Sequence, residues 1–230
     1  MKQRCLIVLV VAAMTLTGCN SNSVSYTLTD REKSICDSLK VDASIIQEVR
    51  AYNSSEIEPF HYSLSKIVEN GVEAEADPIH LNGLVFTEQN SKSYELVFSL
   101  KDGFKQKGYS IFLLENNFNI DSKPDYIGVL KTTDKYAILK QIGTDGINYD
   151  ITNDSLINIV KQFDKKYSLD LIGVSGDWCE FAVVNAPADW LEFAKEVYAV
   201  CPDVVDQGTG SVEVLAEEMK RTKRLYFWWD

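Results

Sequence analysis

Histidine is nearly absent from this sequence: His61 and His80 are the only two in 230 residues. Neither has a partner at metal-ligand spacing, and there is no GxSxG elbow and no Walker-type phosphate loop. Zinc hydrolysis and Ser-His-Asp or Cys-His nucleophilic chemistry therefore have no support, and no cofactor and no metal are expected. Positive charge is also scarce. Lys and Arg number 23 against 34 Asp and Glu, for a net charge of −11. Nucleic acid is excluded as a partner, because neutralising phosphates needs clustered Lys and Arg. Long apolar runs are missing too: no segment reaches the eighteen consecutive residues that would mark a membrane-spanning helix. Gly208-Thr209-Gly210 before a helix is too short for a phosphate cradle, lacks the lysine and reads as a turn.

The N-terminus does carry a signal. Lys2 and Arg4 precede an almost uninterrupted apolar stretch from Cys5 to Leu16, the layout of a signal peptide. The stretch ends in Leu16-Thr17-Gly18-Cys19, which resembles the bacterial lipobox. Residues 1–18 are therefore expected to be cleaved, and Cys19 is the expected lipidation site. Two or three acyl chains, palmitate among them, hold a protein on a membrane without a span. Residues 19–31, opening with Asn20-Ser21-Asn22-Ser23, read as a flexible stalk. The expected product is a bacterial lipoprotein of the cell envelope. Asn20 is not the aspartate that resembles an inner-membrane retention signal, which favours the outer membrane. Loss of Lys2 and Arg4 takes the net charge from −11 to −13. Cys36, Cys179 and Cys201 then remain, and their odd number and apolar surroundings favour packed thiols over a Cys179–Cys201 disulfide.

Residues 32–90 show weak periodicity, with helices expected near 34–39 and 43–51 and a strand near 84–87. From 91 to 230 the pattern sharpens into an α/β domain. Tyr94, Val97, Phe98, Leu100 and Phe104 recur at helical spacing, with Gly108 as the stop. Strands follow at 109–114 and 126–132, and a short helix covers 134–142. Asn153 is placed to cap the next helix, whose apolar stripe runs from Leu156 to Tyr167. Strands at 169–174 and 178–185 flank the tight turn Ser175-Gly176-Asp177. Pro187 is expected just inside a helix that Pro202 terminates. A last helix begins at Ser211, and Leu225 to Trp229 reads as a strand, chiefly a core strand. The order helix, strand, strand, helix occurs twice, over 94–142 and 154–201, and suggests a diverged duplication. The expected fold is of α+β type: a two-layer sandwich with a mainly antiparallel sheet, helices largely on one face and a ferredoxin-like second half. A doubly covered sheet is the alternative.

Short connections make successive elements reverse direction. Counting directions from the helix at 154 places Asn148, Tyr149, Asp177, Trp178, Asp203, Gln207 and Asp230 on one rim, in loops on a rigid scaffold. Each also has a plain structural reading: Asn148 and Asp177 suit turns, and Trp178 suits a buried strand.

Gly143-Thr144-Asp145-Gly146-Ile147-Asn148-Tyr149, Asp177-Trp178, Cys201-Pro202-Asp203 through Gln207-Gly208, and the terminal Trp228-Trp229-Asp230 together resemble domain-of-unknown-function family 4253, over about residues 130–230. The resemblance implies no activity. What it adds is that the family's marked positions fall on the rim. An acidic rim with aromatic edges points to a non-enzymatic binding module for a basic protein or a small cationic ligand. The alternative is an envelope hydrolase or transferase with Asp177 and Asp203 as an acid/base pair. A weaker reading makes Asp177, Asp203, Asp230 and Asn148 hard oxygen ligands for a divalent cation.

Overall fold

Alternation along the strands sends apolar side chains to two faces of one sheet, and that division organises the molecule. The computed structural model describes residues 26–62, 66–69, 72–75, 78–117 and 122–229. Residues 1–18, expected to be a signal peptide, Cys19 and Asp230 lie outside the described residues. The elements in order are α1 (Asp30–Leu39), α2 (Ala43–Arg50), β1 (Glu58–Tyr62), β2 (Lys66–Glu69), β3 (Val72–Glu75), β4 (Ile79–Glu88), α3 (Asn90–Gln106), β5 (Ser110–Glu115), β6 (Asp125–Leu130), α4 (Lys135–Ile142), α5 (Asn153–Tyr167), β7 (Leu169–Val174), β8 (Trp178–Val183), α6 (Trp190–Val200), α7 (Val212–Thr222) and β9 (Arg224–Trp228). Seven strands form one sheet in the order β1-β4-β6-β5-β7-β8-β9, and β2 and β3 pair separately. Every neighbour in the large sheet is antiparallel except β5 and β7.

On β5, Phe112 and Leu114 face one core, and Ile111 and Leu113 face the other. The first core is closed by α4, α5, α6 and α7, through residues such as Ile138, Val160, Phe193 and Met219. The second is closed by α1, α2 and α3, through Ile35, Ile46, Val97 and Phe104. The α+β class and the mainly antiparallel sheet are as the sequence indicates, and the helices of the second half do share one face. The weakly patterned residues 32–90 supply two helices for the opposite face and the strands β1 and β4, so the whole sheet is doubly covered. In the second half β7, β8 and β9 keep chain order; its likeness to a ferredoxin unit lies in its hairpin and helices, without strand interleaving.

The helix ends follow local chemistry. Thr29 and Glu32 form a capping box on α1; Asp42, Asp134, Asp189 and Ser211 cap α2, α4, α6 and α7. Thr152, one residue before the expected Asn153, caps α5. Asn153 instead donates to Leu139 O at 2.9 Å and Thr144 O at 2.7 Å, closing the C-terminus of α4. Pro187 precedes the Asp189 cap and lies outside α6. The two helix-strand-strand-helix units do not align in space. α3 and α4 lie on opposite faces, whereas α5 and α6 share one.

Asp125, only 1% exposed, accepts hydrogen bonds from Ser93 Oγ at 2.5 Å, from the Asn117 backbone N at 2.8 Å and from Asn90 Nδ2. It ties the first turn of α3 to the β5–β6 connection. Asp125→Ala strands those donors, and urea denaturation is expected to show a loss of about 2–3 kcal/mol. A loss below about 0.5 kcal/mol would mean that water replaces the carboxylate without cost.

Candidate functional site

Direction reversal brings the loop 143–149, the turn 175–177, the segment 201–209 and the end of β9 to one end of the sheet, where hydrogen bonds stitch them together. Asp145 N donates to Gly176 O at 2.8 Å, and Trp229 N donates to Asp177 O at 3.0 Å. Thr144 Oγ1 donates to Ser175 O at 2.5 Å. The Tyr149 hydroxyl donates to Asp203 Oδ1 at 2.5 Å, and this bond pushes the tyrosine pKa up to about 12. Gly146 lies flat on the Trp229 indole, where an added Cβ would sit 2.7 Å from the ring. Trp229 is itself buried, and its Nε1 has no hydrogen-bond partner among the described residues.

The residues of the expected rim divide into three groups. Asn148, Tyr149, Asp177 and Gln207 are exposed on these loops. Asp203 is there too but is 3% exposed, tucked under Tyr149. Trp178 is a core residue: it points toward the α1–α3 side and packs where a Gly173 side chain would be. Asp230 lies outside the described residues. The segments 143–151, 175–178 and 201–210 carry Asp145, Asp150, Asp177, Asp203 and Asp206 and contain no Lys or Arg. No group of three or more His, Cys, Asp or Glu among the described residues is placed to hold a metal ion.

A second feature, which sequence reasoning missed, adjoins the rim. Residues Val204–Thr209 form a single turn of π-helix, a distortion frequent at functional sites, and it packs beside β9. β9 is a terminal strand of the sheet, and a cleft of about 390 Å³ runs along it. The cleft is bounded by Val204 and Thr209 of the π-turn, Val214 and Glu218 of α7, and Tyr226 and Trp228 of β9. At its back, Glu180 is 4% exposed and accepts from Tyr94 Oη at 2.8 Å and from Arg224 Nη1 at 3.1 Å. The guanidinium carbon of Arg224 stands 4.2 Å from the centroid of the Tyr94 ring. Burial raises the Glu180 pKa, against the opposing pull of Arg224 and Tyr94. A single Glu inside the apolar strand 178–183, followed by an Arg at the head of the last strand, was the available signal.

Residues 126–230 match the family described as Domain of unknown function (DUF4253). The matched span runs from β6 through β9 and so contains the rim, the π-turn, Glu180 and Arg224, but not Tyr94. No curated protein and no solved structure matches the chain.

Removing Arg224 leaves Glu180 buried without its cation, which costs about 3–5 kcal/mol when the carboxylate is charged. A carboxyl whose folded pKa is raised stabilises the fold at low pH and loses that contribution as pH rises through the folded pKa. Arg224→Met raises that pKa further above the ordinary 4.5. Its deficit relative to wild type is therefore expected to be small near about pH 4 and large at about pH 7. A deficit independent of pH, measured by urea midpoints, would rule out an electrostatic origin.

Proposed function

We propose that this protein is a lipid-anchored bacterial envelope protein that binds a cationic partner, a basic protein or a small cationic ligand, through its acidic rim and without catalysis. The observation that carries this reading is the gathering of Asp145, Asp150, Asp177, Asp203 and Asp206 at one end, on segments free of Lys and Arg. The hydrogen bonds between those segments hold the carboxylates in place before a partner arrives, which lowers the ordering cost of binding. Surface charge predominantly of one sign steers an oppositely charged partner. The acid/base alternative has less support, because Asp203 is buried and already engaged by Tyr149 while Asp177 is exposed. The lipobox-like Leu16-Thr17-Gly18-Cys19 supports the anchor.

Two measurements test the two parts. Cys19→Ser is expected to abolish labelling by radioactive palmitate and to move the protein from the membrane to the soluble envelope fraction; unchanged labelling would refute the anchor. Pull-down from envelope extracts by wild type is expected to recover basic partners at low ionic strength and to lose them near 1 M salt, where the screening length falls to about 3 Å. Asp177→Asn with Asp206→Asn is expected to weaken that recovery. Identical partners recovered by wild type and double variant would show that the rim is not the binding surface.

A further inference from the structure

We infer that the open edge of β9 receives an extended segment of the partner as an added strand. This deepens the cationic-partner reading and rests on it. The register fixes which backbone groups are free. Val183 N donates to Lys223 O at 2.8 Å, which marks residues 183 and 223 as a bonded pair of the β8–β9 ladder. Hydrogen-bonded pairs recur at every second residue of an antiparallel ladder, so Leu225 and Phe227 also bond to β8, and Arg224, Tyr226 and Trp228 direct their N–H and C=O away from it. Trp228 bears this out: its N–H donates to Cys201 Sγ at 3.2 Å, and its C=O accepts from the same sulfur at 2.8 Å. At Arg224 and Tyr226 no such partner stands among the described residues.

Folded proteins ordinarily cover or blunt an edge of this kind. Here the edge lies recessed in the 390 Å³ cleft, with α7 along one side and the π-turn at one end. That shelter keeps the edge from indiscriminate pairing while leaving room for one extended chain. Strand addition supplies affinity through main-chain hydrogen bonds and selectivity through alternate side chains. One set of side chains on an added strand would meet Tyr226 and Trp228; the other would meet Val214 and the half-exposed Glu218. Glu180 is paired with Arg224, and Glu218 stands 4.0 Å from Arg221, so the rim carboxylates beside the cleft, exposed Asp206 of the π-turn first among them, set the sign at that end. They select a segment with Lys or Arg at alternate positions. Charge also argues against a second copy as the occupant, because each copy carries a net charge of −11 and like-charged chains repel.

The test uses the mature full-length protein in detergent and a pool of synthetic hexapeptides in which Lys alternates with Val or Thr. Hydrogen exchange of the Arg224 and Tyr226 amides is expected to slow by about tenfold or more when the pool is added. The same peptides N-methylated at alternate amides are expected to give no slowing, and Asp in place of Lys is expected to remove binding. Binding of the pool, followed by Trp fluorescence, without slowing at residues 224 and 226 would overturn strand addition and leave the acidic-rim reading intact. No binding of any basic peptide, together with Asp177→Asn and Asp206→Asn variants that recover the same partners as wild type, would bring down both. Slow exchange at these amides in the free protein, increasing with its concentration, would show that a second copy fills the edge and would also overturn the inference.

Discussion

Apolar side chains leave the seven-stranded sheet on both faces, and each face is closed by its own set of helices. A sheet covered in this way offers water and partners only its ends and its edges. Each buried aliphatic or aromatic side chain contributes about 1.5–3 kcal/mol, so neither face could be uncovered for a ligand without a large loss. Much of the polar chemistry of the molecule is accordingly displaced to the loops of the rim and to the margin of β9. Glu180, like Asp125 at the start of β6, is an exception that the constraint makes costly. It enters the sheet at a position where a carboxylate is tolerated only because Arg224 and Tyr94 meet it there.

Much of the second half was legible because its local signals agree with its long-range packing. The α5 stripe from Leu156 to Phe163 is buried, β7 spans the expected residues, and Ser211 caps the last helix. Direction counting placed 143–149, 175–177 and 201–209 together without any contact information, since short connections leave few alternatives. The limits have equally physical causes. Trp178 sits at the end of a strand where a one-residue change of register swaps rim for core, and only the packing against Gly173 decides it. The face covered by α1–α3 was hidden because residues 32–90 carry the weakest periodicity and owe their helices to tertiary burial. The π-turn at 204–209 has no periodic signature at all.

The last strand shows how one sequence reading can be half of the answer. Leu225, Phe227 and Trp229 are core residues on the α4–α7 side, as a buried strand requires. Arg224, Tyr226 and Trp228 alternate with them and stay partly open on the other side. A run of aromatics therefore serves stability with one parity and presents a surface with the other. The two helix-strand-strand-helix units diverge for a comparable reason: β5 and β7 lie side by side and parallel, so each unit has a different face still to cover.

Cys36, Cys179 and Cys201 are all buried and all unpaired, and burial raises the pKa of each. Thiols held in the protonated form are poor nucleophiles and poor targets for exchange. Among the described residues the fold thus owes nothing to disulfide cross-links, and thiols so placed respond weakly to the redox poise around them. A fold of this kind needs no oxidant to complete it, so its assembly requires neither a disulfide-forming step nor the machinery that catalyses one.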